Sequence, residues 1–344
     1  MRKVAAIDGK GQFHVVEEPV PEPSRGQVLV EVAASLISPG TELGGIRARR
    51  ANPSDAPPRP FGYQNAGTVI ALGEDVDRFA PGDRVACMGG GYALHTTHAA
   101  VPVNLAVPIP EGVSFEAAAF CHLAATALHA VRRAEPAFGE NVAVSGLGLV
   151  GQLAVQFAKL SGTHVVGLDR FPKRLAVAAA TGADLVVNVD EDDPVAAVVE
   201  FCRGHGLDAG IIAFGGDGTA AAKQLYAMMK PAPDTHRWGR IVVVGGATVT
   251  LSLAAGLGNV DIRSSARPGP GYHDEAWEHG ADYPPVLVPW TTQRNLEESL
   301  RVLAEGALRV DPLITDVFPL ADAPAACEKL VAAPAEALGV VLKP

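Results

Sequence analysis

Three glycines, at residues 146, 148 and 151, constrain the fold of this chain more than any other feature. They belong to the hexapeptide Gly146-Leu147-Gly148-Leu149-Val150-Gly151. It follows an apolar segment at 142–145 and opens a helical segment. In such a strand–turn–helix unit the first glycine permits a tight bend, the second lets a pyrophosphate approach the backbone, and the third lets helix and strand pack closely. The hexapeptide predicts a dinucleotide site with the phosphates at the helix N-terminus; a purely structural turn is the alternative.

Apolar segments alternate with helical ones from Asn141 to about Gly246. The apolar segments lie at 142–144, 164–168, 185–187, 209–213 and 241–244. Strands without a polar face are buried on both sides, and alternation with helices makes their sheet parallel and doubly wound. The sequence therefore predicts an α/β fold with a Rossmann domain, which we place at 121–265.

Asp169 ends the apolar segment that follows the glycine turn. A carboxylate there accepts hydrogen bonds from the adenosine ribose hydroxyls and repels a 2′-phosphate, so the predicted cofactor is NAD rather than NADP. Arg170 and Lys173 come next, either as charges that weaken this preference or as solvated charges at a helix start. Residues at the ends of later strands are expected to contact the cofactor through their backbone. They are Phe214, Gly215, Val244 and Gly245.

The residues before about 110 have a different pattern. Short alternating apolar segments, such as 27–32 and 65–70, are separated by proline and glycine turns, which predicts an antiparallel β-rich domain. A long helix is expected at 115–133. After 262 the sequence predicts a Pro/Gly-rich loop, helices near 292–305 and 323–331, and a strand at 340–342. We expect this last segment to complete the first domain, which then comprises 1–120 and 266–344.

Charge and hydropathy exclude some partners. The 344 residues include 38 acidic and 28 basic side chains, and a net charge of -10 disfavours a nucleic acid partner. The sequence shows neither an apolar run long enough to span a bilayer nor a signal-peptide core, so we expect no membrane partner and a cytoplasmic location. The four cysteines are far apart and predict reduced, buried thiols.

Four motifs carry a family resemblance. They lie at 62–69, 81–85, 146–151 and 239–245. With them the chain resembles, over nearly its whole length, the medium-chain dehydrogenase/reductase superfamily, which has the zinc-type alcohol dehydrogenase architecture. The resemblance implies that the N- and C-terminal parts form a GroES-like catalytic domain. It also implies a small-molecule substrate in a cleft beside the Rossmann domain, and a homodimer joined through the Rossmann sheets.

The chain departs from this family at the zinc ligands. Pro39, within Ser38-Pro39-Gly40-Thr41-Glu42, stands where zinc members carry a cysteine, and Tyr63 follows Gly62 where they carry Gly-His-Glu. Cys121 lies near another ligand position, but one thiolate cannot hold a zinc ion that requires about four donors. The lobe that binds a second, structural zinc is also missing, so we expect no zinc. Segments 35–42, 89–95 and 266–274 resemble a bacterial branch that includes bacteriochlorophyllide-type dehydrogenases and the dehydrogenase half of two-part oxidoreductases.

Without zinc, another group must manage the charge and proton of the substrate oxygen. The resemblance places Tyr63 where a zinc-bound histidine would lie, as a hydrogen-bond donor whose pKa a cation or the nicotinamide would lower; alternatively it only fills the vacated pocket. Thr41 matches the family residue that relays a proton to the nicotinamide ribose, or it stabilises a turn. Further residues are candidates for the substrate pocket or are ordinary packed and surface side chains. They are His95, His122, Arg267, Tyr272, His273 and Trp290.

The sequence thus predicts a zinc-independent oxidoreductase that transfers a hydride between NAD(H) and a polar secondary alcohol or ketone, sugar- or cyclitol-like. Two alternatives stay open. A quinone or enoyl reductase would act on an activated C=C bond and would not need the Tyr63 hydroxyl. A non-enzymatic redox sensor or partner subunit would bind the dinucleotide without turnover.

Overall fold

A computed structural model describes residues 1–252 and 256–344. The chain divides into two compact units. The first comprises Met1–Ala125, Pro268–Gly306 and Ile314–Pro344, and the second comprises Thr126–Arg267 and Ala307–Leu313. No helix within the described ranges is both long and apolar enough to cross a bilayer.

The N-terminal part of the first unit consists mainly of β-strands. They are β1 (Arg2–Ile7), β2 (Phe13–Glu18), β3 (Gln27–Ile37), β4 (Arg59–Pro60), β5 (Gln64–Leu72), β6 (Arg84–Met88), β7 (His98–Pro102) and β8 (Ala106–Pro108). Its helices are α1 (Pro39–Glu42), α2 (Ile46–Ala51), α3 (Phe115–Ala118) and the start of α4 (Cys121–Ala134). The single helix expected at 115–133 is therefore wrong. The Ser114 hydroxyl caps α3 by accepting from Ala117 N–H, and α4 starts anew after Phe120, whose carbonyl accepts from Ala124 N–H.

The second unit alternates strands and helices. Its strands are β9 (Asn141–Ser145), β10 (His164–Asp169), β11 (Leu185–Asn188), β12 (Ala209–Ile212), β13 (Gly216–Asp217), β14 (Lys230–Pro231), β15 (Arg237–Val244), β16 (Ala247–Thr248) and β17 (Asn259–Ser265). Its helices are α5 (Leu149–Leu160), α6 (Pro172–Thr181), α7 (Pro194–Phe201) and α8 (Thr219–Met228). The main sheet has the order β11-β10-β9-β12-β15, with β14 and β17 both pairing with β15. All these pairs are parallel except β14–β15, which confirms the predicted α/β class.

Strand β17 is an addition to the five predicted strands. Most of its residues are exposed or partly exposed, so it lacks the continuous apolar run by which the other strands are recognised.

The C-terminal part returns to the first unit. Its elements are α9 (Glu275–Glu278), α10 (Thr292–Ala304), β18 (Ile314–Pro319), α11 (Ala323–Ala332) and β19 (Gly339–Lys343). Strand β19 pairs antiparallel with β3, in the sheet order β18-β19-β3-β5-β6-β8, and β7 also pairs with β3. Ile37 and Leu342 are fully buried in the core cluster that also includes α11. This packing fixes the end of β3, from which α1 begins.

Candidate active site

The glycine turn joins β9 to α5 and has a separate steric reason for each glycine. Gly146 has φ +91, in the left-handed region, and a Cβ there would lie 2.8 Å from the Phe214 ring. A Cβ on Gly151 would overlap the carbonyl oxygen of Gly146. A Cβ on Gly148 would meet nothing within 4 Å. The space above Gly148 is therefore open, as a pyrophosphate requires.

The start of α5 suits an anion. Gly148 is its N-cap residue, and none of the side chains that the structure describes caps the helix. The first N–H groups of a helix have no partner within the helix, and the helix dipole adds positive potential there. Backbone groups at this point thus fit the phosphates of a dinucleotide.

Asp169 is hydrogen-bonded to the same turn. Its Oδ2 accepts from Leu147 N–H at 2.6 Å, and its Oδ1 accepts from the N–H groups of Arg170 at 2.7 Å and Phe171 at 2.9 Å. The Arg170 side chain is exposed, so Arg170 reaches the carboxylate only through its backbone in these contacts. Arg174 Nη1 lies 3.9 Å from Oδ2, a cation that sequence reasoning missed. The sequence could have indicated Arg174, because it lies about one turn into α6, the helix that follows the strand ending at Asp169.

The remaining predicted cofactor residues lie at the ends of β12 and β15. The Phe214 ring packs against Gly146, and an ideal Cβ on Gly245 would lie 3.8 Å from the Phe214 carbonyl oxygen. Val244 is buried at the end of β15, and Gly215 is exposed. The structure therefore brings Phe214 to the glycine turn, and Gly245 lies beside Phe214.

A second set of residues converges in the first unit. Strand β3 ends just before Ser38, β5 begins just after Tyr63, and the two strands are paired with Ser35 opposite Asn65. Tyr63 is partly exposed, and its ring lies 4.7 Å from that of His122 at 44°. The side chains of Ser38 and Thr41 form hydrogen bonds with its phenol oxygen.

The surroundings of Tyr63 keep its hydroxyl protonated. Burial, and then the negative charge of Glu42, raise the pKa of Tyr63 far above its usual range, and the hydrogen bonds from Ser38 and Thr41 oppose this only in part. The expected lowering of this pKa by a neighbouring cation is therefore wrong for the chain's own groups, because the charged neighbour is a carboxylate. Burial lowers the pKa of His122 to about 3, so this ring is uncharged at neutral pH.

His95 lies beside Glu42. It is fully buried, and its Nδ1 and Nε2 are hydrogen-bonded to Ser35 Oγ at 2.9 Å and Glu42 Oε2 at 3.0 Å. The prediction that His95 lines the substrate pocket is wrong in this structure, because neither ring nitrogen faces an open surface.

The segment 266–274 has a strained backbone. Arg267 and His273 have φ +61 and +74, which side-chain-bearing residues rarely adopt. The Tyr272 hydroxyl oxygen accepts from Gly90 N–H at 2.7 Å, and the His273 ring stacks on that of Tyr272 at 3.9 Å. Tyr272 also adds to the electrostatic field at Tyr63. Of the other candidates, Arg267 belongs to the second unit, and Trp290 is 40% exposed in the first.

Sequence comparison with known proteins identifies one family for this chain. The descriptions "Alcohol dehydrogenase GroES-like domain" and "Zinc-binding dehydrogenase" match residues 24–111 and 150–282. The alcohol dehydrogenase of Rhizobium meliloti (strain 1021) is 32% identical over 260 residues, which cover 66% of this chain and 73% of that protein. The chain belongs to the medium-chain dehydrogenase/reductase superfamily. It is therefore an oxidoreductase, and the first unit contains a GroES-like domain.

Other proteins resemble nearly the whole chain. The sorbitol dehydrogenase of Ovis aries is 27% identical over 347 residues, covering 91% of this chain and 89% of that protein. Among solved structures, an oxidoreductase of unknown specificity from Escherichia coli has a TM-score of 0.81 with 21% identity, over 99% of both chains. A short chain alcohol dehydrogenase from Escherichia coli CFT073, complexed with NADH, has a TM-score of 0.76 with 21% identity over 99% of both chains.

The residues at the family's zinc position do not fit a zinc ion. Within residues 1–252 and 256–344, no three His, Cys, Asp or Glu side chains are grouped so as to hold a metal. Pro39 offers no side-chain donor, and Tyr63 offers a phenol whose pKa is raised. Cys121 is buried and its thiol donates to the Leu296 carbonyl at 3.4 Å, so this single sulfur is already engaged and cannot by itself supply the about four donors that zinc requires.

Proposed function

We propose that this superfamily member is a zinc-independent dehydrogenase that uses NAD(H) and acts on a polar secondary alcohol or ketone. The observation that carries the proposal is the Tyr63 phenol, held by Ser38 and Thr41 at the position from which the family's metal-binding side chain is missing. The resemblance to sorbitol dehydrogenase supports a polyol-like substrate. The homodimer and the cytoplasmic location stay predictions.

The cofactor residues are those of the second unit. The backbone of the glycine turn and the start of α5 would hold the pyrophosphate, and Asp169 would hold the adenosine ribose. The bound nicotinamide supplies the hydride or accepts it. The Asp169 carboxylate favours NAD because it would repel a 2′-phosphate. One of its oxygens is held by the Leu147 N–H of the turn, and the other by the N–H groups of Arg170 and Phe171.

The chain's own groups would manage the substrate oxygen. Tyr63 O–H would donate a hydrogen bond to it, and in reduction would pass it a proton as the carbonyl carbon gains the hydride. A phenol with a raised pKa is still more acidic than an alcohol, so the proton moves towards the product. Thr41 is exposed and hydrogen-bonded to Tyr63, so its hydroxyl would return a proton from solvent to the phenolate.

The proposal is tested by titrating the purified protein with NADH and NADPH, followed by fluorescence, with metal analysis of the same sample. We expect NADH to bind at least about tenfold more tightly than NADPH, which is about 1.4 kcal/mol, without stoichiometric zinc. A panel of polyols and their ketones, assayed with the preferred cofactor, should contain a substrate. Stoichiometric zinc in the sample would contradict the role of Tyr63, and binding of neither nucleotide would contradict the proposal as a whole.

Replacing Asp169 with asparagine should reduce the preference for NADH over NADPH by about tenfold, because the repulsion of the 2′-phosphate is removed. The amide has one acceptor oxygen for three backbone N–H groups, so we also expect a loss of about 1–3 kcal/mol in the free energy of unfolding. Asp184→Asn is the control. Asp184 also accepts a backbone N–H, from Val165 at 2.8 Å, but precedes β11 at the opposite end of the parallel sheet. An equal change of preference in both variants would contradict the assignment of Asp169.

A further inference from the structure

We propose that Arg174 is the residue of this chain that would bind the 2′-phosphate of NADP(H), and that the Asp169 carboxylate beside it is what directs the site towards NAD(H). The inference rests on the proposed function, in which Asp169 holds the adenosine ribose. It deepens that function, because cofactor choice then depends on a carboxylate and a guanidinium together rather than on the carboxylate alone.

The backbone of Arg174 is held close to the glycine turn. Gln152, from α5, is fully buried, and its Nε2 donates to the Arg174 carbonyl at 2.8 Å and to the Leu147 carbonyl at 3.2 Å. One side chain thus joins the first part of α6 to the turn between β9 and α5. A buried donor with two acceptors is costly to displace, so Arg174 has a fixed place beside the predicted ribose site.

The guanidinium of Arg174 has an acidic and an aromatic neighbour. Its Nη1 lies 3.9 Å from Asp169 Oδ2, and its Cζ lies 4.7 Å from the centre of the Phe171 ring. A planar guanidinium stacks on an aromatic face, which reduces the number of positions that it can adopt. Since 20% of the Arg174 side chain is exposed, a ligand at the surface can still reach it.

The Asp169 carboxylate is oriented by the backbone rather than by Arg174. The distance of 3.9 Å to the guanidinium is longer than a hydrogen bond. Oδ2 instead accepts from Leu147 N–H at 2.6 Å, and Oδ1 accepts from the N–H groups of Arg170 and Phe171. Removing the negative charge of Asp169 should therefore leave the positive charge of Arg174 where it is.

The two cofactors present different groups at this point. The adenosine ribose of NAD(H) has a 2′-hydroxyl, which can donate to a carboxylate, whereas NADP(H) has a phosphate there. A phosphate on an oxygen that Asp169 would bind must lie within a few ångströms of Asp169, and Arg174 Nη1 is already at that distance. The planar fork of arginine matches phosphate oxygens with two parallel hydrogen bonds. The same place thus has one group that repels the phosphate and one that attracts it.

The structure distinguishes Arg174 from the cations that precede it in the sequence. Arg170 and Lys173 are exposed, whereas Arg174 is partly buried and lies at ion-pair distance from the carboxylate. Partly buried charges are screened less by salt than exposed ones. Arg174 should therefore contribute more to phosphate binding than either neighbour.

The test measures the binding of NADH and NADPH to the ligand-free protein by fluorescence titration. Asp169→Asn should bind NADPH more tightly than the unmutated protein, and Asp169→Asn/Arg174→Gln should bind it about tenfold more weakly than Asp169→Asn. NADH should bind both variants with the same affinity, because it has no phosphate for Arg174; a purely structural role would change both nucleotides. Adenosine 2′,5′-bisphosphate, used as a competitor without the nicotinamide, should follow NADPH.

Asp169→Asn/Lys173→Gln is the matched control, since it removes an adjacent exposed cation in the same background and should bind NADPH as Asp169→Asn does. An NADPH affinity that is the same with and without Arg174, or an equal loss in the Lys173 and Arg174 variants, would overturn the proposal. If Asp169→Asn does not fold, Arg174→Gln alone decides. Its preference for NADH should exceed that of the unmutated protein by about threefold, because Asp169 loses its nearby cation, and an unchanged preference would overturn the proposal.

The outcomes separate this inference from the proposed function. Binding of neither nucleotide by the unmutated protein would contradict both. Binding of NADH without any effect of Arg174 on NADPH would overturn this inference alone.

Discussion

Tyr63→Phe is expected to lower kcat for ketone reduction by about 10²- to 10⁴-fold, the usual contribution of a positioned proton donor. The substitution removes one oxygen and keeps the ring that packs against His122 at 4.7 Å. The dissociation constant for NADH should stay unchanged, because the glycine turn and Asp169 belong to the second unit. Steady-state kinetics with the best ketone of the panel, together with a fluorescence titration, measure both quantities.

The matched control is Tyr226→Phe. Tyr226 lies in α8 of the second unit, with Arg237 near its ring, and has no part in the proposed chemistry. Loss of the Tyr226 hydroxyl should leave kcat unchanged. If Tyr63→Phe also leaves kcat nearly unchanged, the enzyme reduces an activated C=C bond with backbone donors, and the proposed role of Tyr63 as proton donor is wrong.

Gly148→Ala and Gly151→Ala should separate cofactor binding from folding. Alanine fits at Gly148 in the free protein, since φ is -69 and the space around its Cβ is open. The methyl group would, however, occupy the approach of the pyrophosphate, so NADH should bind at least about tenfold more weakly while the free energy of unfolding stays within about 0.5 kcal/mol.

Gly151→Ala should instead destabilise the protein. Its methyl group would overlap the Gly146 carbonyl oxygen, so β9 and α5 must move apart. We expect a loss of about 1–3 kcal/mol or more in the free energy of unfolding, measured by urea denaturation.

Undiminished NADH affinity in Gly148→Ala would show that the dinucleotide does not cross the glycine turn.

The part of the site that the sequence predicts is the part formed by residues close together along the chain. The glycine turn and Asp169 are recognisable because strand, turn and helix follow one another along the chain, and the hydrogen bond from Leu147 to Asp169 joins their ends. Strand β17 and the break between α3 and α4 were missed because neither interrupts or extends an apolar run in a distinctive way.

The surroundings of Tyr63 were not predictable from local pattern. Glu42 and His95 lie 53 positions apart, and contacts between distant segments bring them together: the His95 backbone is hydrogen-bonded to Ala5 and Phe61, and β7, which follows His95, pairs with β3. The pKa of Tyr63 is raised first by burial and then by the charge of Glu42, and a family resemblance supplies neither where the ligands have been replaced.

The pairing of β19 with β3 has a consequence for synthesis on the ribosome. The second unit is nearly continuous and needs only the short segment Ala307–Leu313 from further along the chain. The first unit cannot complete its larger sheet until Gly339–Lys343 has left the exit tunnel, because β19 links β3 to β18. Since domains fold as their residues emerge, the nucleotide-binding half matures first. Ser38 and Thr41, which follow β3 and contact Tyr63, then reach their final packing only after the second unit has folded.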